Sequence, residues 1–201
     1  MHIPRKDLVS TAVLCGMMIF AAGGCTKSKP DTANFKTAID NYYAAHPSCI
    51  WQSPVKFPAQ ADAGSDTQTK GFDALTDAGL LTRTPQEKKR FLLGSKQVND
   101  YDISDKGRSE WTADPAQPGY GNFCYGHRDA TRIDNYSLSK NANGGNTAVV
   151  NYDYDLTGVP DWAKSQETQS AFPNLQADLS TPRSATTTLV QTKNNWQVST
   201  D

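Results

Sequence analysis

Apolar positions recur along this chain at two different periods. Phe35, Ile39 and Tyr42 return every three or four residues, which predicts a helix over residues 32–45, ended by Pro47. Phe72, Leu75 and Ala78 repeat that spacing, with Gly79 placed as a glycine just past a helix end and Leu80-Leu81 expected to be buried. Between the two helices, residues 59–69 are small and polar and read as a loop. Thr84-Pro85-Gln86-Glu87 has the form of a capping box with proline at the first helical position, so a short helix can follow; residues 90–93 read equally well as a strand. Val98, Tyr101 and Ile103 give a strand of imperfect alternation, and Ser104-Asp105-Lys106-Gly107 reads as a turn. Residues 113–121 are rich in Pro and Gly and mark a boundary. Beyond it the period becomes two. Residues 122–126 and 132–138 are strand candidates, and Asn143-Gly144-Gly145-Asn146 is a hairpin turn signal. Residues 147–156 alternate, with Val150, Tyr152, Tyr154 and Leu156 on one side and Val149, Asn151, Asp153 and Asp155 on the other. A helical or irregular stretch from Pro160 to Leu179, broken by Pro173, precedes closing strands at 186–191 and 196–199. The expectation is an α+β protein, N-terminal helices followed by a mainly antiparallel β-sheet. Its parts are residues 34–112 and 113–201, which can pack as one domain.

The first residues carry a different pattern. Arg5 and Lys6 form a basic start, residues 8–22 are mostly apolar, and Ala22-Gly23-Gly24-Cys25 follows. As a helix the apolar run reaches only about 22 Å, short of the roughly 30 Å hydrocarbon core of a bilayer. This order resembles a bacterial lipoprotein signal peptide with its lipobox, over about the first 26 residues. Ala22 stands where that family usually has leucine. An ordinary secretory leader cut near the same glycines is the alternative. The resemblance implies that residues 1–24 are removed, that Cys25 becomes the acylated N-terminus, and that residues 25–33 are a tether. Stable anchoring takes two or more acyl chains. Thr26 is not the aspartate that signals inner-membrane retention in the family. The implied place is the outer membrane, facing the periplasm, or the cell membrane where the source has one membrane.

Two shorter stretches resemble known modules. Phe72 to Arg83, ending in Gly79-Leu80-Leu81, together with Tyr101-Asp102-Ile103-Ser104-Asp105-Lys106-Gly107, resembles a winged-helix module. Its helix lacks the basic face of a DNA reader, so the resemblance implies packing or protein contact. The ending Asn195-Trp196-Gln197-Val198 resembles the terminal strands of cystatin-like or NTF2-like periplasmic lipoprotein domains, with Asn195 where glycine or aspartate is usual.

Composition narrows the partners. The chain has 20 basic and 21 acidic residues; removing residues 1–24 takes away Arg5, Lys6 and Asp7 and leaves 18 and 20. With no basic excess, nucleic acid is not an expected partner. Of four cysteines, Cys15 leaves with the leader and Cys25 is the lipidation site, so Cys49 and Cys124 remain.

Those two sit in mirror motifs, His46-Pro47-Ser48-Cys49 and Cys124-Tyr125-Gly126-His127. Brought together, the four side chains can form a tetrahedral zinc site of His46, Cys49, Cys124 and His127. The same proximity permits a Cys49–Cys124 disulfide, and an oxidising compartment favours it. Asp153 and Asp155 share one face of a strand, which suits either acid–base work or simple solvation; Asp134, Asp161 and Glu110 add no recognisable geometry. Tyr42, Tyr43, Trp51, Tyr120, Phe123, Tyr125 and Trp162 can line an aromatic groove for sugar or peptide, or fill a core. Lys88-Lys89-Arg90 offers a short basic contact for anionic lipid or cell-wall polymer. There is no phosphate-binding glycine loop, Gly-x-Ser-x-Gly elbow or His-Glu-x-x-His.

The expected function is therefore a lipid-anchored envelope protein with a periplasmic binding, structural or interaction role. It takes no cofactor, and its partners are the membrane and an envelope protein or cell-wall polymer. The alternatives are an envelope enzyme acting on glycan or peptidoglycan, with Asp153, Asp155 or His127 as acid–base groups, and a small metal-binding module.

Overall fold

A computed structural model describes residues 30–90, 94–193 and 195–200. The leader, Cys25 and most of the tether lie outside the described residues, as do residues 91–93 of the helix-or-strand alternative.

Helix α1 (Thr32–Ala45) starts at Asp31, whose carboxylate accepts the Asn34 N–H at 2.8 Å, and it buries Phe35, Ala38 and Ile39. Strands β1 (Val55–Lys56) and β2 (Ala59–Asp62) follow, then helix α2 (Asp66–Asp77). The segment 59–69 is thus a strand and a helix start, not a loop. Its Ala61 packs in the core while paired with Asn99, and the first turns of α2 bury Thr69 in place of an apolar residue, which hides the helix from a hydrophobic count. Gly79 has φ +77°, and the Leu80 N–H bonds back to the Leu75 carbonyl at 2.8 Å, which closes α2.

Strand β3 (Leu81–Arg90) pairs antiparallel with β4 (Gly94–Ile103) over its whole length, in a sheet of order β2-β4-β3. The capping-box residues Thr84 to Glu87 therefore lie in a strand. Pro85 is tolerated there because β3 is an edge, where a missing N–H breaks no ladder. Ser104-Asp105-Lys106-Gly107 is the start of a short helix, α3 (Asp105–Glu110), with the Ser104 Oγ accepting the Gly107 N–H at 2.8 Å. Strands β5 (Trp111–Ala113) and β6 (Tyr120–Phe123) make a second sheet, order β1-β6-β5.

Two long strands come next, β7 (His127–Lys140) and β8 (Asn146–Thr157), joined through the predicted Gly144 turn. The register of β7 shifts between Ala130 and Arg132 and between Ile133 and Asn135, which blurs its alternation. Helices α4 (Asp161–Lys164), α5 (Gln166–Ala171) and α6 (Pro173–Leu179) precede β9 (Ser184–Gln191) and β10 (Trp196–Val198). These complete an antiparallel sheet of order β10-β9-β8-β7.

The class is α+β, as expected, but the helices are not all N-terminal. The described residues form two apolar cores, and the chain weaves between them. One joins α1 to the four-stranded sheet through Phe35, Ile39, Ala148, Val150, Tyr152, Leu189 and Trp196. The other gathers Leu75, Leu80, Tyr101, Phe123, Tyr125, Trp162, Phe172 and Leu175. Helix α1 thus packs with the last strands, and α4–α6 return to the first sheets, so the Pro/Gly stretch at 113–121 is not a core boundary.

Candidate functional site

Residues 46–50 carry the chain from one core to the other, and residues 123–127 carry it back. The two crossings run side by side. The Ser48 N–H donates to the Gly126 carbonyl and the Tyr125 N–H to the Ser48 carbonyl, both at 2.8 Å. Cys49 and Cys124 are opposed with Cα atoms 3.8 Å apart, and they form the disulfide. With both sulfurs bonded to each other, neither is the thiolate that zinc takes. The histidines point elsewhere: His46 Nδ1 lies 2.8 Å from the Tyr42 carbonyl and His127 Nε2 lies 3.0 Å from the Thr157 hydroxyl. Among the described residues no group of three or more His, Cys, Asp or Glu is arranged around a metal position.

The carboxylates of β8 are engaged in pairs. Asp153 accepts from the Ser184 hydroxyl at 2.7 Å and from Arg132 Nη2 at 2.7 Å. Asp155 faces Arg183 Nη1 at 3.5 Å. The Ser184 hydrogen bond, then Arg132, holds the Asp153 carboxyl below its ordinary value, the opposite of what a general acid needs. A lowered carboxylate stabilises the fold above the ordinary pKa near 4, and that contribution is lost as pH falls through the lower folded value. Asp153→Asn is therefore expected to lose less melting temperature than the parent between pH 5 and pH 2; parallel acid-side thermal melts check this.

The predicted aromatic groove does not assemble. Phe123, Tyr125 and Trp162 are core residues, and Trp51 packs on Phe57, Phe72, Phe123 and Phe172 with ring centroids about 6 Å apart. Tyr43 covers Arg128, whose guanidinium carbon lies 5.1 Å from that ring and 4.7 Å from the Tyr154 ring. Tyr120 is exposed beneath Lys56. Lys88 and Lys89 are exposed on β3.

One predicted aromatic does line a depression. Tyr42 stands on α1 beside a groove of about 400 Å³ between that helix and β10. Asn34, Ala38, Asn41 and Ala45 recur at helical spacing along its wall, and the two alanines leave the space open. Asn195, Trp196 and Gln197 form the opposite wall. The Tyr42 ring stacks on His46, centroids 4.2 Å apart and planes 18° apart. Among the described residues no Asp, Glu, Lys or Arg lines this groove. A second depression, about 700 Å³ between α2 and α5, is lined by Asp66, Lys70, Asp73, Asp77 and Glu167 among others. There Asp73 already accepts from Arg83 Nη1 and from the Tyr101 hydroxyl.

Sequence reasoning missed Asn41, Asn195 and Gln197. The available signal was the stripe of small or polar residues on α1 at 34, 38, 41 and 45, flanking its apolar face. Compared with protein-family models, with curated proteins and with solved structures, the chain finds no match.

Proposed function

We propose that this chain is an exported lipoprotein of the bacterial envelope whose folded part binds a ligand in the α1–β10 groove. The observation that carries the reading is the order of basic start, apolar run and Ala22-Gly23-Gly24-Cys25. The Cys49–Cys124 disulfide supports it, since such bonds persist in oxidising compartments and are rare in a reducing cytosol. No helix among the described residues is long and apolar enough to cross a membrane; in this reading the acyl chains on Cys25 hold the protein to the outer membrane, facing the periplasm, or to the cell membrane of a cell with one membrane. Helix α1 begins seven positions after Cys25. Even fully extended, that tether reaches at most about 25 Å. The groove, built on the same helix, then lies close to the bilayer, where an envelope protein or cell-wall polymer meets it.

Cells fed radiolabelled palmitate test the anchor. The expected product is a labelled chain that begins at Cys25, while Cys25→Ala is unlabelled and keeps its leader. An unprocessed, unlabelled parent chain in the cytosol with free thiols overturns the reading.

A further inference from the structure

We infer that the α1–β10 groove takes an uncharged glycan; this rests on the groove being the ligand site. Its volume, about 400 Å³, lies within the range of small-molecule sites. The described residues of its lining carry no fixed charge, so among them an anionic ligand would meet no cation and a cationic one no carboxylate, and a desolvated unpaired charge is costly. What the walls offer is groups that both donate and accept. The side-chain amides of Asn41, Asn195 and Gln197 make no hydrogen bond to any described residue, and each presents an N–H₂ and a carbonyl. Sugar hydroxyls have the same dual character. His46, whose Nδ1 lies 2.8 Å from the Tyr42 carbonyl, adds a second ring nitrogen to the lining.

The apolar part of the lining fits the other half of a sugar. The Tyr42–His46 stack is a flat platform beside the groove, and an aromatic face is electron-rich. The C–H face of a pyranose ring carries the opposite partial charge and stacks there without needing a hydrogen bond. Trp196, a core residue only 4% exposed, closes the same wall from beneath and gives it an aromatic floor.

Isothermal titration of the full-length acylated protein in detergent tests this, using chitotetraose, cellotetraose and maltotetraose. Tetra-alanine, acetylated at its N-terminus and amidated at its C-terminus, serves as the uncharged peptide and tetragalacturonate as the anionic sugar. At least one neutral tetrasaccharide is expected to bind. Asn41→Ala and Gln197→Ala should each weaken it about five- to tenfold, the worth of one neutral hydrogen bond. Equal affinity for tetragalacturonate, or neutral-sugar binding unchanged in both variants, overturns the glycan assignment. Binding of tetra-alanine alone, weakened by the same variants, overturns the ligand class and leaves the groove as a site. No binding by any probe overturns both, while palmitate on Cys25 reports separately on the anchor.

Discussion

Replacing both Cys49 and Cys124 by serine is expected to cost about 4 kcal/mol of stability. The bond joins residues 75 apart in sequence. In the chain-entropy account a closed loop of that length restricts the unfolded chain by about 4.5 kcal/mol, and removal of a native disulfide commonly costs about 2–5 kcal/mol. For a chain of this size that is about 10 °C in melting temperature. Position argues for the upper part of the range. Cys49 lies between α1, which packs in the sheet core, and Ile50, which packs in the other. Cys124 lies between Phe123 of the second core and β7, which returns to the first. The staple therefore ties both crossings at the point where the two cores meet. Urea denaturation of the parent with and without dithiothreitol, beside the double-serine variant, is the measurement. Coincident midpoints for all three would show that the native crossings hold themselves and that the bond restrains little.

The same crossings show what sequence reading captures. Helix α1 is legible because its apolar face and the Pro47 stop are local and agree with each other. The alternation of β8 is legible because one face is buried and the other solvated along most of the strand. Residues 81–90 are not legible. Their helix-start signal is local, whereas the strand they form is stabilised by ten backbone pairings with β4, a partner no local window contains. The disulfide was readable as one of two chemistries from cysteine count and export. The aromatic residues misled for a general reason: rings fill cores as readily as they line grooves, and only tertiary packing tells which. The groove itself was invisible, since its walls come from the helix at the start of the fold and the last strand.

Gly107→Ala should destabilise the protein by about 3 kcal/mol or more, against the sign that helix propensity gives. Within a helix alanine is favoured over glycine by about 1 kcal/mol. Gly107 is in α3, but a Cβ built on it stands 1.9 Å from the Leu80 carbonyl oxygen and 2.9 Å from the Leu80 carbonyl carbon. That obstacle is backbone and cannot swing aside. Leu80 is fully buried, its carbonyl accepts the Ser104 N–H at 3.0 Å, and the Ser104 hydroxyl donates to the Gly79 carbonyl at 2.6 Å. Moving α3 away breaks those bonds together with the Ser104 cap on Gly107. Overpacking costs typically run about 1–3 kcal/mol, and a clash with anchored backbone belongs at or above the top of that range. Gly71→Ala is the contrast. Gly71 is in α2, where its Cβ would meet only the far edge of the Phe172 ring at 3.2 Å, so a small ring shift lets propensity offset the crowding and the net change should stay within about 1 kcal/mol. Chemical denaturation of both variants separates the two effects. A Gly107→Ala protein as stable as Gly71→Ala would mean that α3 is free to lift from Leu80, and with it the Ser104 cap would lose its reason for a glycine three residues on.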